Sequence, residues 1–293
     1  MNADRRRFFG LVWVAILALS FSAYAQKTIK IDANFSRFRE EKLASKLMNR
    51  EMPYRVIVPG ESKPGMKVKY PVVYLLHGLT GHYSNWIDKT KLVEYAARHK
   101  FIIVTAEGDN GWYSDSVTVA NDKYESYIVE ELIPEVEKKY DALGTRENRF
   151  IAGLSMGGYG AIKFGLKYPD KFALVGSFSG ALGAAGFNAK TAGNIGKSIE
   201  AIFGAEDSET RKSNDIFKLI REITPEKLKT LPFIYQSCGT EDFLIQNNRD
   251  FLALMNEKKV PHEYREFPGV HNWKFWDDQV REFLDLADRR LKK

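Results

Sequence analysis

The chain has one cysteine in 293 residues, Cys238. An intramolecular disulfide is therefore impossible and a thiolate metal site is out of reach. A chain of this length can be stable on its hydrophobic core alone. Cys238 ends the apolar run Pro232–Cys238. It reads as a buried strand thiol, since a cysteine nucleophile needs a base of its own and a polar setting. Histidine is scarce as well. His77, His82, His99, His262 and His271 are the five, and no two have the H-x-x-x-H spacing of a metal-binding helix. There is no Walker-type loop and no dinucleotide fingerprint, so no cofactor and no metal are expected. Repeats and low-complexity linkers are missing too. The basic residues are interspersed with acids along the helical stretches, which excludes a nucleic-acid footprint.

One long apolar run is present, Phe8–Phe21. It is short for a bilayer span. Arg5, Arg6 and Arg7 precede it, and Ala23-Tyr24-Ala25 follows as a small-x-small cleavage site. The expectation is a signal peptide over residues 1–25, a mature chain from Gln26, and a periplasmic or secreted location with no stable membrane anchor. The Arg5-Arg6 pair also resembles a twin-arginine signal, though three basic residues ahead of an apolar core are common in ordinary signals. The segment carries three Arg and one Asp, so the net charge of +6 falls to +4 when it is removed.

The rest of the chain alternates short apolar strand patterns with longer amphipathic ones. Pro71–Leu76, Phe101–Thr105, Arg149–Ala152, Phe172–Phe178, Phe233–Cys238 and Glu263–Phe267 read as strands. Lys91–His99, Tyr124–Tyr140, Gly158–Tyr168, Asn247–Lys258 and Trp273–Leu291 read as helices. Strands apolar on both faces, alternating with helices, imply a mostly parallel sheet covered on both sides in a single domain over residues 26–293. Tyr54–Val58 suits an antiparallel edge strand. Residues 180–231 break the rhythm with helical patterns at Ile195–Phe203 and Asp215–Ile223, and form a helical insertion that could cap a site.

Gly153-Leu154-Ser155-Met156-Gly157 matches G-x-S-x-G between a strand and a helix. In that setting the pattern is a nucleophile elbow, with the serine pushed clear of the backbone on a tight turn. A serine hydroxyl needs a base to take its proton. In α/β-hydrolases the partners follow in the order Ser, acid, His. Only His262 and His271 come after Ser155, and only His271 lies on a loop beyond a strand, so His271 is the expected base. The acid belongs on the loop after Phe233–Cys238. Asp242 is the choice there, with Glu241 a close competitor. Oxyanion donors are expected from the backbone N–H of Met156 and from the Gly78-Leu79 loop, at the N–H of Leu79. Trp86, Trp112, Tyr113, Trp273 and Trp276 fall near these loops. They could wall a site for an aromatic acid or sugar ring, with Trp86 and Trp273 as the candidate substrate contacts, or they could serve packing.

The segments Tyr70–Leu79 (YPVVYLLHGL), Phe150–Ala161 (FIAGLSMGGYGA), Ser177–Leu182 (SFSGAL) and Gly269–Trp276 (GVHNWKFW) resemble the esterase D-like family of α/β-hydrolases. That family includes S-formylglutathione hydrolases, feruloyl and acetyl-xylan esterases and mycolyltransferases. The resemblance extends from about residue 50 to the C-terminus. It implies an α/β-hydrolase fold, Ser155, Asp242 and His271 as triad, and Leu79 and Met156 amides as oxyanion hole. The expected activity is an exported serine carboxylesterase acting on feruloyl- or acetyl-type esters, with a small-molecule or carbohydrate ester as its partner. An acyltransferase or thioesterase using the same residues, or a silent binding protein, would be the competing functions.

Overall fold

The computed structural model describes residues 38–59 and 68–292. The expected signal segment lies outside the described residues. Eight strands form one sheet in the order β1-β2-β4-β3-β5-β6-β7-β8. They are β1 Phe38–Ser45, β2 Arg50–Ile57, β3 Val72–Leu76, β4 Ile102–Ala106, β5 Arg149–Leu154, β6 Leu174–Phe178, β7 Phe233–Gly239 and β8 His262–Phe267. From β4 to β8 every neighbouring pair is parallel, and β1 and β2 add an antiparallel edge. Tyr54–Ile57 lies in β2, which is antiparallel as expected but is not the edge: it pairs β4 on one side and, through the hairpin register Phe38↔Ile57 to Ser45↔Arg50, the edge strand β1 on the other.

The apolar runs are continuous because both faces are covered. In β3, Val72, Tyr74 and Leu76 enter one core while Val73 and Leu75 enter the other, as period-two alternation requires. The helices are α1 Asn85–Lys89, α2 Leu92–Ala96, α3 Tyr124–Ser126, α4 Ile133–Lys139, α5 Met156–Lys167, α6 Ala189–Phe203, α7 Glu209–Asn214, α8 Ile216–Arg221, α9 Pro225–Thr230, α10 Ile245–Glu257 and α11 Trp273–Leu291. Phe275, Val280, Phe283 and Leu284 of α11 close one core beside Leu92 and Tyr95 of α2. Tyr159, Ile162 and Phe164 of α5 close the other with Ile216, Ile220 and Phe251.

Two expectations needed revision. The helix read over Tyr124–Tyr140 is interrupted by a π-helical stretch, Tyr127–Leu132. Pro134 follows directly and has no N–H to offer the Glu130 carbonyl, so the chain widens there instead of holding the α register. The 180–231 segment carries four helices, where two were legible. The two not read, α7 and α9, are six residues each, too short to show a period. Buried Arg211 fastens this segment by donating to the carbonyls of Ala185, Phe187 and Gly204.

Lys163 of α5 is fully buried yet completely engaged. Its Nζ donates to the Tyr113 carbonyl (2.6 Å) and the Ser114 hydroxyl, and pairs with Glu125 (2.8 Å). Removing one partner of a buried pair strands the other. Lys163→Met is therefore expected to lower unfolding free energy by about 3–5 kcal/mol, read from urea denaturation. Lys167 also reaches Glu125. A loss under about 1 kcal/mol would mean that Lys167 alone neutralises the carboxylate.

Candidate active site

The sheet order places β3 between β4 and β5, so the chain reverses direction around β3. Ligand crevices in open α/β sheets form at such a point, beyond the carboxyl ends of the strands. The loops after β3, β5, β7 and β8 meet there.

Ser155 sits between the last residue of β5 and the first of α5 with φ 52° and ψ −115°, a strained conformation for a residue with a Cβ. Three backbone bonds impose it. Ser155 N–H donates to the Phe178 carbonyl (3.0 Å), and its own carbonyl accepts from Tyr159 (3.1 Å) and Ala181 (3.0 Å). The turn needs glycine on both sides. A Cβ on Gly157 would stand 2.3 Å from the Leu76 carbonyl oxygen, and one on Gly153 would stand 2.5 Å from the Gly157 carbonyl. The close strand–helix approach thus depends on both.

His271 lies on the loop between β8 and α11, and the next residue, Asn272, caps α11 by accepting from Phe275 N–H (3.1 Å). Its Nε2 is 3.0 Å from Ser155 Oγ, and its Nδ1 is 2.8 Å from Asp242 Oδ2. The Trp276 ring meets the imidazole edge-on at 4.9 Å, and Phe243 covers it at 4.6 Å between centroids. Asp242 is 2% exposed. Burial pushes its carboxyl up, but bonds from His271 and the Leu244 amide outweigh this and hold it below the ordinary aspartate value. Glu241 faces elsewhere. Its carboxylate accepts from Gly269 N–H and Thr240 Oγ1, so it pins the histidine loop through the backbone and does not touch the imidazole. Cys238 is buried, with its thiol pushed up to about 12 by burial and by the nearby Asp242 charge.

Met156 opens α5, where the first N–H groups have no intrahelical acceptor. Leu79 lines, with Ser155 and His271, a cleft of ≈ 320 Å³ whose wall also includes Thr80, Asn85, Lys89, Trp273 and Trp276. Trp273 therefore meets the cleft as expected. Trp86 does not: it is wholly buried, its indole N–H donates to the Leu76 carbonyl (3.1 Å), and its ring backs Trp273 edge-to-face at 5.5 Å. Its assignment as a substrate contact is corrected to that of a core residue backing Trp273 at the cleft wall. Trp112 and Tyr113 are likewise buried, and Tyr113 donates its hydroxyl to the His77 carbonyl.

Glu107 was not read from the sequence. It follows β4 directly, and an acid at the carboxyl end of five buried residues was the available signal. Its Oε1 accepts from the amides of Gly108 (2.8 Å) and Asp109 (2.7 Å) and lies 2.8 Å from His77 Nε2; Oε2 accepts from Tyr83 N–H (3.2 Å). His77 Nδ1–H donates to the Gly78 carbonyl (2.8 Å). Burial pushes Glu107 up, yet His77 and the amides hold it below the ordinary glutamate value. One carboxylate thus ties together both ends of the Gly78–Tyr83 loop that carries Leu79. Glu107→Gln would turn an NH₂ toward these donors. The expected result is a kcat lowered by about 10- to 100-fold with KM little changed, below the 10²–10³ cost of losing an oxyanion donor outright. A change confined to KM would contradict a role in shaping the loop.

Among the described residues no cluster of His, Cys, Asp or Glu could hold a metal ion, and no helix is long and apolar enough to cross a membrane.

A serine on a strained strand-to-helix turn, hydrogen-bonded through a loop histidine to a buried aspartate on this sheet, defines the α/β-hydrolase class. Residues 45–285 match the family model described as "Putative esterase", and the chain belongs to this esterase family. An acetyl esterase of Caldicellulosiruptor saccharolyticus is 31% identical over 260 residues, covering 84% of this chain and 96% of that protein. Among solved structures, the fluorophosphonate-binding serine hydrolase F of Staphylococcus aureus is 28% identical with a TM-score of 0.76, covering 86% of this chain and 98% of that one. A ferulic acid esterase is 27% identical with a TM-score of 0.75, covering 87% and 98%. The chain is an esterase of the serine-hydrolase type.

Proposed function

We propose that the protein is an exported carboxylesterase that cleaves small acyl or aryl esters of carbohydrate, of acetyl or feruloyl type, through an acyl-enzyme on Ser155. The observation that carries this reading is the unbroken chain Ser155 Oγ–His271–Asp242 at 3.0 and 2.8 Å, opening on the cleft. Both distances lie within reach for proton transfer. His271 Nε2 takes the Ser155 proton as Oγ bonds to the ester carbonyl carbon. The negative charge that develops on the carbonyl oxygen is received by the amides of Leu79 and Met156. His271 then protonates the departing alcohol as the ester bond breaks. Water enters, gives one proton to His271 and attacks the acyl carbon, and Ser155 leaves with that proton. Asp242 holds the imidazole with Nδ1–H toward itself and stabilises its cation.

The acetyl and feruloyl classes draw support from the similar proteins named as acetyl esterase and ferulic acid esterase. Export draws support from the Arg5–Ala25 pattern. A hydrolysis screen tests the substrate class, comparing p-nitrophenyl acetate, methyl ferulate, acetylated xylan and S-formylglutathione. Release of acetate from the xylan or of ferulate is expected. Exclusive action on the thioester would overturn the carbohydrate reading. For export, the expected outcome is recovery outside the cytoplasm with Gln26 as N-terminus; a cytoplasmic chain starting at Met1 would refute it.

A further inference from the structure

We infer that the cleft beside Ser155 contains a subsite for a carboxylate carried by the substrate, formed by Lys89 and Asn85 against the Trp273 ring. The inference deepens the reading of Ser155 as nucleophile and rests on it. Lys89 is the one side chain of fixed charge among the residues lining the cleft, and no Asp or Glu lines it. The acids that could neutralise it are committed elsewhere. Asp88 takes Arg55 (2.6 Å) and the Ser84 hydroxyl (2.5 Å). Asp277, one turn along α11 from Trp273, takes the Lys91 amide (2.8 Å) and the Tyr95 hydroxyl (2.9 Å). The Lys89 ammonium instead stands over the Trp273 ring, 5.3 Å from its centroid. That contact positions the cation at the wall of the cleft without cancelling its charge.

Asn85 lies four residues earlier on α1 and so shares the face that carries Lys89. It is buried, and its Oδ1 is occupied by the His82 amide (3.1 Å). The remaining end of that side chain is the NH₂, a donor only. Lys89 and Asn85 therefore bring an ammonium and an amide donor to the wall beside the Trp273 ring, and no carboxylate lines the cleft to oppose them. A carboxylate fits this set: its oxygens accept from both donors while the carbon skeleton rests on the indole. A uronic acid, or an acyl group ending in a carboxylate, belongs to the class.

The test compares ester pairs that differ in charge and little in shape. One pair places the carboxylate on the alcohol side, p-acetoxybenzoate against p-acetoxybenzamide. The other places it on the acyl side, p-nitrophenyl hydrogen glutarate against p-nitrophenyl valerate. In at least one pair, kcat/KM for the charged ester relative to the neutral one is expected to be about tenfold higher in the wild type than in Lys89→Met, or about 1.4 kcal/mol. Lys89→Arg should retain the preference, Lys89→Glu should reverse it, and raising salt from about 0.05 to 0.5 M should shrink it, because the site is open to screening by ions. Equal charged-to-neutral ratios in wild type and Lys89→Met for both pairs would overturn the subsite while leaving the esterase reading intact. If neither the neutral esters turn over nor a fluorophosphonate labels Ser155, the reading beneath it falls as well.

Discussion

Ser155→Ala is expected to lose ester hydrolysis by about 10⁴- to 10⁶-fold while remaining folded. The loss follows from the reaction path: without Oγ there is no acyl-enzyme, and only general binding and the amide donors remain to assist water. The fold should survive because the bonds that hold this turn come from the Ser155 backbone, not from its hydroxyl. Alanine meets the same positive φ as serine, so the strain at 52° is unchanged. The measurements are turnover of p-nitrophenyl acetate, labelling by a fluorophosphonate, and thermal unfolding. Undiminished labelling of the variant would place the nucleophile elsewhere. Equal turnover would end the acyl-enzyme mechanism.

Asp242→Asn is expected to cost about 10⁴-fold in kcat with little change in stability. The cause is a tautomer. Asp242 Oδ1 accepts the Leu244 amide (2.8 Å), and that donor still requires an oxygen after the substitution. The new NH₂ is therefore turned toward His271 Nδ1, which must then accept, so the imidazole proton moves to Nε2. An Nε2–H cannot take the Ser155 proton. Glu241→Gln should fall by no more than a few fold, since its carboxylate is bonded to Gly269 N–H and Thr240 and an amide oxygen can keep the first of these. The reverse ranking of the two variants would transfer the orienting role to Glu241. A second consequence concerns pH. Asp242 is held below its unfolded value, so it adds stability above that value and loses it as pH falls through the folded one. The Asn variant should lack this portion of the acid-side decline in thermal stability.

Much of the site was legible because its signals are local. The G-x-S-x-G turn between an apolar strand and a helix locates Ser155, and chain order with few histidines leads to His271. The strands from β3 to β7 follow from short runs apolar on both faces, and the Trp273–Leu291 helix follows from its spacing. These features depend on residues within a turn or two of one another, where backbone geometry is set by spacing, glycine and capping.

What could not be read is where a side chain points once distant segments meet. Asp242 and Glu241 are adjacent, chemically alike and on the same loop. The first reaches His271 and the second Gly269 because β7 and β8 lie in parallel register, Gly239 opposite Phe267, and bring those loops together. Trp86 and Trp273 were indistinguishable as aromatics near the site; packing against β3 buries one and leaves the other on the cleft wall. Glu107 acquires its role only when β4 docks beside β3 and sets it against His77. Lys89 is one lysine among many until the acids around it are seen to be engaged by other partners. Local spacing fixes the path of the chain and the order of its chemistry. The direction of each loop side chain, and the charge left unneutralised beside it, follow from strand register and from contacts tens of residues apart.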